Sequence, residues 1–419
     1  MRARSPLLPI VLSLGLAPAC WPSEEEVLAD EAREALATPD DEVELPGRAA
    51  DGAPVPAPLP PDDPTTTLTW ALDARRIELE AERVDGVTTD RDALVVAVAR
   101  AGDGVLVRLA PEGAAGTRVA AERVIGPLGP EPIALARAAH GSPPMALWVD
   151  EAGAVRAIVA DERLQTNEPT TLLEPADGPA LGHPVVAPAD GGAIACIGGV
   201  ATPLRCAMLS RAGALMEDGW RAVGKAKGMR AEALVESDNG WLLVAASCKP
   251  KAPEPCRRKD LVVIRLDLDG VPPKKRPTLP LPELQAARGG LLLVPEATGF
   301  VLVGRRVGAG EASAWRVTER DVKELDGKWG RVVGGLDHDD GFVFVEQAPL
   351  AMQDGFPVVR HRPRPFDKGK RGDPLAWPGS IAGHVPTGVD QRVISGEGLV
   401  AFVEPIRKQR ARLVVITSR

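Results

Sequence analysis

From about residue 66 onward, apolar residues fall in short runs of Val, Leu, Ile and Ala, broken by Gly, Pro, Asp and Asn. Runs of this length and composition predict β-strands. No stretch sustains a helical period, and prolines interrupt the candidates. The strands also repeat. Each copy is a turn ending in Gly, an apolar strand, a loop and a second apolar strand. The copies are "DALVVAVARAGDGVLVRLA" from Asp92, "MALWVDEAGAVRAIVAD" from Met145 and "GGAIACIGGVATPLRCAML" from Gly191. They continue with "NGWLLVAAS…DLVVIRLD" from Asn239 and "TGFVLVGRRVGAGEASAWRV" from Thr298. "DGFVFVEQAPLAMQDGFPVVRH" from Asp340 and "EGLVAFVEPIRKQRARLVVIT" from Glu397 complete the series.

The first strands of the copies start near 93, 145, 193, 241, 300, 342 and 399, a mean step of 51 residues. About 25–30 residues separate one hairpin from the next, which leaves room for two more strands. "TRVAAERVIG" and "PIALARAAHG", "DGWRAVGKAKG" and "RAEALVESDNG", and "PLAWPGSIAG" and "GVDQRVISGEG" read as those connecting strands. Four strands per repeat at this period resembles a β-propeller blade. The expected fold class is therefore all-β, a seven-bladed β-propeller over residues 66–419, with six or eight blades as alternatives. The last copy ends in "LVVITSR" without an outer strand, and "RRIELEAERV" at 75–84 has no hairpin partner. The N-terminal strand is therefore expected to complete the last blade and close the ring, removing an exposed sheet edge. Trp220, Trp329 and Trp377 recur in outer strands and read as packing between blades.

No motif of a named propeller family is present. The Trp-Asp dipeptide is absent. Double glycines at Gly191-Gly192, Gly289-Gly290 and Gly334-Gly335 lack the rest of the kelch pattern. The Trp-ending motif of quinone-binding propellers is missing. "DHDDGFVF" at 337–344 faintly resembles a sialidase Asp box, with Asp337 in place of Ser or Thr. A sialidase would use a tyrosine nucleophile, and the chain has none.

The chain opens "MRARSPLLPIVLSLGLAPAC", with Arg2 and Arg4 before an apolar run from Leu7 to Leu16. This reads as a secretory leader, residues 1–19. The apolar run is too short to span a bilayer. Ala17-Pro18-Ala19 fits an ordinary cleavage site. The small residues before Cys20 also resemble a bacterial lipobox, with Ala17 where Leu is usual. Of five cysteines, Cys20, Cys196, Cys206, Cys248 and Cys256, lipidation of Cys20 would leave two close pairs. Residues 20–65 follow as a linker, and within it residues 21–65 hold thirteen acidic residues, two basic ones and nine prolines. Such a segment is expected to be disordered and extended, a tether. The overall charge of −8 therefore belongs to the tether, and residues 66–419 carry a net +1. A nucleic-acid partner is not expected from so neutral a body.

Candidate chemistry is sparse. His140, His183, His338, His361 and His384 show no zinc spacing, and the turn histidines His140 and His183 are expected to be solvated. "DHDDG" at 337–341 and "LDLDG" at 266–270 read as turns rather than calcium loops. There is no phosphate loop and no Gly-x-Ser-x-Gly elbow, so neither metal nor cofactor is expected. Cys196 with Cys206 and Cys248 with Cys256 are each expected to form a disulfide across one hairpin. An oxidising compartment favours this, and the Cys-x-x-Cys spacing of a redox pair is absent.

The remaining signal is charge in the hairpin loops. Lys249, Lys251, Arg257, Arg258 and Lys259 lie in the fourth copy, Arg305 and Arg306 in the fifth, and Arg407, Lys408, Arg410 and Arg412 in the seventh. The sixth copy is expected to expose Leu350 and Met352 on a loop. These loops predict a docking surface for an acidic protein or an anionic envelope polymer. The expected protein is a monomeric, non-catalytic binding or scaffolding lipoprotein of the bacterial envelope, in the outer membrane. The alternatives are an exported propeller enzyme acting on carbohydrate and a purely structural surface protein. The acidic tail folding back on the basic loops is a further alternative.

Overall fold

The computed structural model describes residues 72–418, except 91–92, 113–115, 138–142, 162, 166–167, 175–181, 200–202, 248–260, 275–277, 282–291, 297–298, 306–311, 330, 339–340, 354–355, 368–369, 372–381, 385–391, 397–398 and 408–409. Cys20 and the expected leader and linker thus lie outside the described residues. All described strands belong to the second of two units of the chain, Pro46–Arg419.

Among the described residues every regular element is a β-strand, and the strands make seven sheets. The chain begins with β1 (Leu72–Glu80). The first sheet is β2 (Arg83–Asp90), β3 (Ala93–Arg100), β4 (Asp103–Glu112) and β5 (Gly116–Pro127). The second is β6 (Ala134–Arg137), β7 (Pro144–Val149), β8 (Val155–Val159) and β9 (Thr170–Leu173). The third is β10 (Val185–Ala189), β11 (Gly192–Ile197), β12 (Pro203–Ser210) and β13 (Arg221–Lys227). The fourth is β14 (Met229–Ser237), β15 (Gly240–Ser247), β16 (Leu261–Leu266) and β17 (Thr278–Pro280). The fifth is β18 (Leu292–Glu296), β19 (Gly299–Arg305), β20 (Ala312–Thr318) and β21 (Val322–Trp329). The sixth is β22 (Arg331–His338), β23 (Gly341–Gln353), β24 (Phe356–Asp367) and β25 (Lys370–Arg371), with β26 (Ala382–His384) also paired to β24. The seventh is β27 (Arg392–Gly396), β28 (Leu399–Arg407) and β29 (Arg410–Ser418), with β1 as its fourth strand.

The second strands begin within a residue of the positions the repeat predicts. Turn chemistry explains this. Gly240 and Gly299 sit at φ 151° and 152°, where a side chain is strained. A Cβ would also strike the Leu266 carbonyl at Gly240 and the Val317 carbonyl at Gly299.

The central strands are apolar on both faces because both faces are covered. In β3, Val95 and Ala97 pack with Ala146, Trp148 and Ile158 of the second sheet. Leu94, Val96 and Val98 of the same strand pack with Leu399, Leu413 and Val415 of the seventh. The second and third sheets meet through Leu147 and Ile197, and the third and fourth through Ile194 and Leu243. Leu242 and Phe300 join the fourth to the fifth. Val301 and Phe344 join the fifth to the sixth. Trp220 packs between the second and third sheets and donates from Nε1 to the Leu172 carbonyl at 2.8 Å. The first strands also touch in succession, β2 to β6, β10, β14, β18, β22 and β27, and β27 touches β2.

β1 pairs antiparallel with β29, from Leu72 opposite Ser418 to Glu80 opposite Arg410. Ile77 and Leu79 are buried against the first sheet, while Glu78 and Glu80 are exposed. A slip of one residue would reverse this, so burial specifies the register. Glu78 and Glu80 then stand opposite Arg412 and Arg410.

Because neighbouring strands in each sheet run antiparallel, the start of the first strand and the hairpin between the second and third share one end, here the hairpin end. The turn between the first and second strands marks the other, the turn end. Glu319 ties two sheets together at the turn end. Its carboxylate accepts hydrogen bonds from Ser237 Oγ, the Asn239 amide and Asn239 Nδ2, each at 2.7 Å. Arg265 donates to its carbonyl at 3.0 Å. Partial burial works against the charged carboxyl. The bonds from Asn239 and Ser237, with the Arg265 charge, outweigh it and hold the pKa below the usual glutamate range. "LDLDG" closes as an Asx turn, with the Asp269 and Val271 amides donating to Asp267 Oδ1 at 3.0 and 2.8 Å.

The depressed pKa of Glu319 sets a pH dependence. The clamp stabilises fully above the unfolded glutamate pKa and is lost as pH falls through the lower folded-state value. Thermal melts of Glu319→Gln and wild type should differ most near neutral pH and converge as pH falls through the folded-state value. A gap constant across that range would show that the charge is not what matters.

Candidate functional site

Some of the residues that the sequence singles out lie at the hairpin end. Cys196 and Cys206 are register partners on β11 and β12 and form a disulfide, with Cα atoms 4.1 Å apart. A loop this short contributes about 2–3 kcal/mol in the chain-entropy account. Arg305 ends β19, Arg407 ends β28, and Arg410 opens β29 and is exposed. Lys249, Lys251, Arg257, Arg258, Lys259, Arg306, Lys408, Cys248 and Cys256 lie outside the described residues. They belong to connections that leave the same end of the fourth, fifth and seventh sheets. Leu350 and Met352, expected on a loop, are instead strand residues of β23. The hairpin there is longer than its neighbours.

A second group at this end was not legible in the sequence. β2 carries a register shift between Val84 and Gly86, so Asp85 occupies a bulge. Its side chain is fully buried and held by Arg83, with Nε to Oδ1 at 2.6 Å and Nη2 to Oδ2 at 3.1 Å. The Ile133 amide donates to Oδ2 at 3.0 Å. Arg83 also donates to the carbonyls of Pro130 and Glu131, both at 3.1 Å. Asp85-Gly86 reads locally as a turn dipeptide. Only the arrival of Pro130–Ile133 from the next connection makes Asp85 a buried acceptor.

The group extends across the third sheet. Arg230, at the start of β14, donates from Nη2 to Glu131 Oε2 at 3.1 Å. Gly198 makes the approach of strand and loop feasible, because a Cβ there would strike the Met229 carbonyl. Gly182 N donates to the Gly198 carbonyl at 2.7 Å. His183, expected to be solvated, is half-buried, and its Nδ1 donates to the Pro132 carbonyl at 3.2 Å. The reason is that the loop before β10 packs under the connection before β6.

Two guanidinium groups and two carboxylates thus meet at the starts of β2, β6, β10 and β14, and their charges balance. Such an arrangement fixes loops and presents no net charge to a ligand. The Arg230 Nε atom is buried and makes no hydrogen bond among the described residues. Also among these residues, no group of three or more His, Cys, Asp or Glu side chains is arranged to hold a metal.

Arg83→Ala removes the guanidinium that pairs with the buried Asp85 carboxylate. The expected loss is about 2–4 kcal/mol in urea unfolding, reduced from the fully buried case because Arg83 is partly solvated. Asp85→Asn should cost less. Equal midpoints for Arg83→Ala and wild type would remove the lock from the account of the fold.

No family model and no curated protein matches the chain. Among solved structures, it is similar to the iodide structure of a Trichoderma reesei carbohydrate-active enzyme of family AA12, at 12% identity. The match covers 83% of this chain and 96% of that one, with a TM-score of 0.41. Saccharomyces cerevisiae Sqt1 matches at 9% identity over 81% and 97% of the two chains, TM-score 0.41. The β-propeller domain of the Trilobed protease from Pyrococcus furiosus matches at 11% identity over 76% and 90%, TM-score 0.41.

Proposed function

We propose that the chain is a closed seven-bladed β-propeller that acts as a non-catalytic docking module of the bacterial envelope, tethered by lipid on Cys20. The succession of contacts among first strands, with β27 against β2, supports the ring. The pairing of β1 with β29 supports its closure by the N-terminal strand. Seven sheets with both faces covered need such closure, since an open end would leave one apolar face in water.

One observation carries the docking role. The three connections richest in cations, those of the fourth, fifth and seventh sheets, all leave the hairpin end, where the first strands also begin. A rigid ring with charged loops on one side suits capture of an acidic protein or anionic polymer, because clustered charge raises the encounter rate. The tether reading rests on the leader, Cys20 and the acidic, proline-rich residues 21–65. Cys248 and Cys256 form a second staple in this reading, by likeness to Cys196 and Cys206 one hairpin earlier.

Capture from envelope extract tests the docking role. A variant with Glu at Arg257, Arg258, Arg407 and Lys408 should lose the partners that wild type retains. An unchanged set of partners would sink the proposal. A non-reducing peptide mass map of the mature protein tests the rest. It should show a lipid-modified Cys20 and a Cys248–Cys256 crosslink; an unmodified Cys20 removes the anchor, and free thiols remove the second staple.

A further inference from the structure

The chain contains two asparagines, Asn167 and Asn239, and Asn239 is followed by Gly240. An asparagine before glycine is chemically exposed, because glycine has no Cβ to obstruct attack by its own backbone nitrogen. Here the fold fixes both residues of the dipeptide. Asp238 and Asn239 form the two-residue turn between β14 and β15, closed by the pairing of Ser237 with Gly240. Gly240 cannot be exchanged, since a Cβ would lie 2.1 Å from the Leu266 carbonyl oxygen and a φ of 151° strains a side chain. Asn239 is exposed, so water reaches it.

Glu319 holds this dipeptide in an unreactive arrangement. Its Oε1 accepts from the Asn239 backbone N–H and its Oε2 from Asn239 Nδ2, each at 2.7 Å. One carboxylate spans both donors, so the carboxamide is kept beside the N–H of its own residue. Ring closure needs the opposite movement, toward the Gly240 nitrogen, and that movement breaks the bond to Oε2. Glu319 is itself anchored, by Ser237 Oγ at 2.7 Å and by Arg265, which donates to its carbonyl at 3.0 Å. Glu319 directly follows β20, so the grip on a turn of the fourth sheet comes from the fifth.

We infer that Asn239 is a site of spontaneous deamidation, that Glu319 is the positioning residue that holds it closed, and that conversion loosens the join between the fourth and fifth sheets. When the clamp opens, the Gly240 amide nitrogen gives its proton to water and attacks Asn239 Cγ. An N–C bond forms, the Cγ–Nδ2 bond breaks, and Nδ2 takes up a proton and leaves as ammonia. Water then opens the cyclic imide at either carbonyl carbon, which gives aspartate or isoaspartate at position 239. Water is the only co-reactant. Aspartate replaces a donor with a second carboxylate against Glu319, and like charges at that spacing oppose each other. Isoaspartate also lengthens the backbone of a two-residue turn and so disturbs the register of β14 on β15. Either product weakens the clamp that slowed its formation, so the change runs one way.

Incubation of the purified full chain at mildly alkaline pH, with mass mapping of the Asn239 peptide over time, tests this. Wild type should convert slowly. Glu319→Ala should convert at least about tenfold faster, since two bonds to a charged acceptor no longer hold the side chain. Arg83→Ala, which destabilises the fold away from this turn, should convert at the wild-type rate. Equal rates in wild type and Glu319→Ala, or equal acceleration by Arg83→Ala, would overturn the role of Glu319. If none of the three proteins converts while a synthetic peptide of sequence ESDNGWL does, the site itself is refuted. Asn239→Asp, which imitates one product, should melt below wild type, and Glu319→Gln added to it should recover part of the loss. A midpoint for Asn239→Asp equal to that of wild type would remove the loosening.

Discussion

Burial of both faces of every sheet is the constraint on which the rest of this structure depends. Alternate residues of one strand serve different neighbours: Val95 and Ala97 face the second sheet, and Leu94, Val96 and Val98 face the seventh. A four-stranded sheet with two apolar faces is unstable alone, so each sheet needs two others. β1 follows from the same constraint. It covers the open edge of β29 and adds Ile77 and Leu79 to the core between the seventh sheet and the first. The long-range pairing is held by nine register pairs, and a slipped register would bury Glu78 and Glu80.

Face-to-face stacking also sorts chemistry by end. Side chains within the sheets are committed to packing, so polar groups with freedom to act lie where the strands turn. At the turn end, Glu319 joins the fourth and fifth sheets through the Ser237–Asn239 turn. At the hairpin end, Arg83, Asp85, Glu131 and Arg230 neutralise one another while fixing the connections between sheets. Both groups are internal fastenings.

Much of the site was partly legible. The basic residues of the fourth, fifth and seventh hairpins stand out in the sequence because loops carry charge that strands do not. The long hairpin of β23 and β24 does not stand out, because "EQAPLAMQ" mixes polar residues, a proline and apolar residues in a way that resembles a loop. It becomes strand only because "FPVVRHR" and Ala382–His384 supply partners on the far side. Asp85 was hidden for a related reason. Its partner Arg83 is two residues away, but the Ile133 amide that completes the site comes from the next sheet.

The strand composition, the hairpin starts and the Cys196–Cys206 staple were readable from the chain alone. Each depends on local chemistry: apolar runs buried on both sides, glycines at turns no side chain tolerates, and cysteines directly across one hairpin. Tertiary structure alone decided the register of β1 against β29, the lock around Asp85, the placement of His183 and the pairing of β26 with β24. These join segments about fifty residues or more apart, or, for β26, segments beyond one tight turn. Local propensity is silent on such pairings, because their register is set by which surfaces remain uncovered once the nearer hairpins have formed.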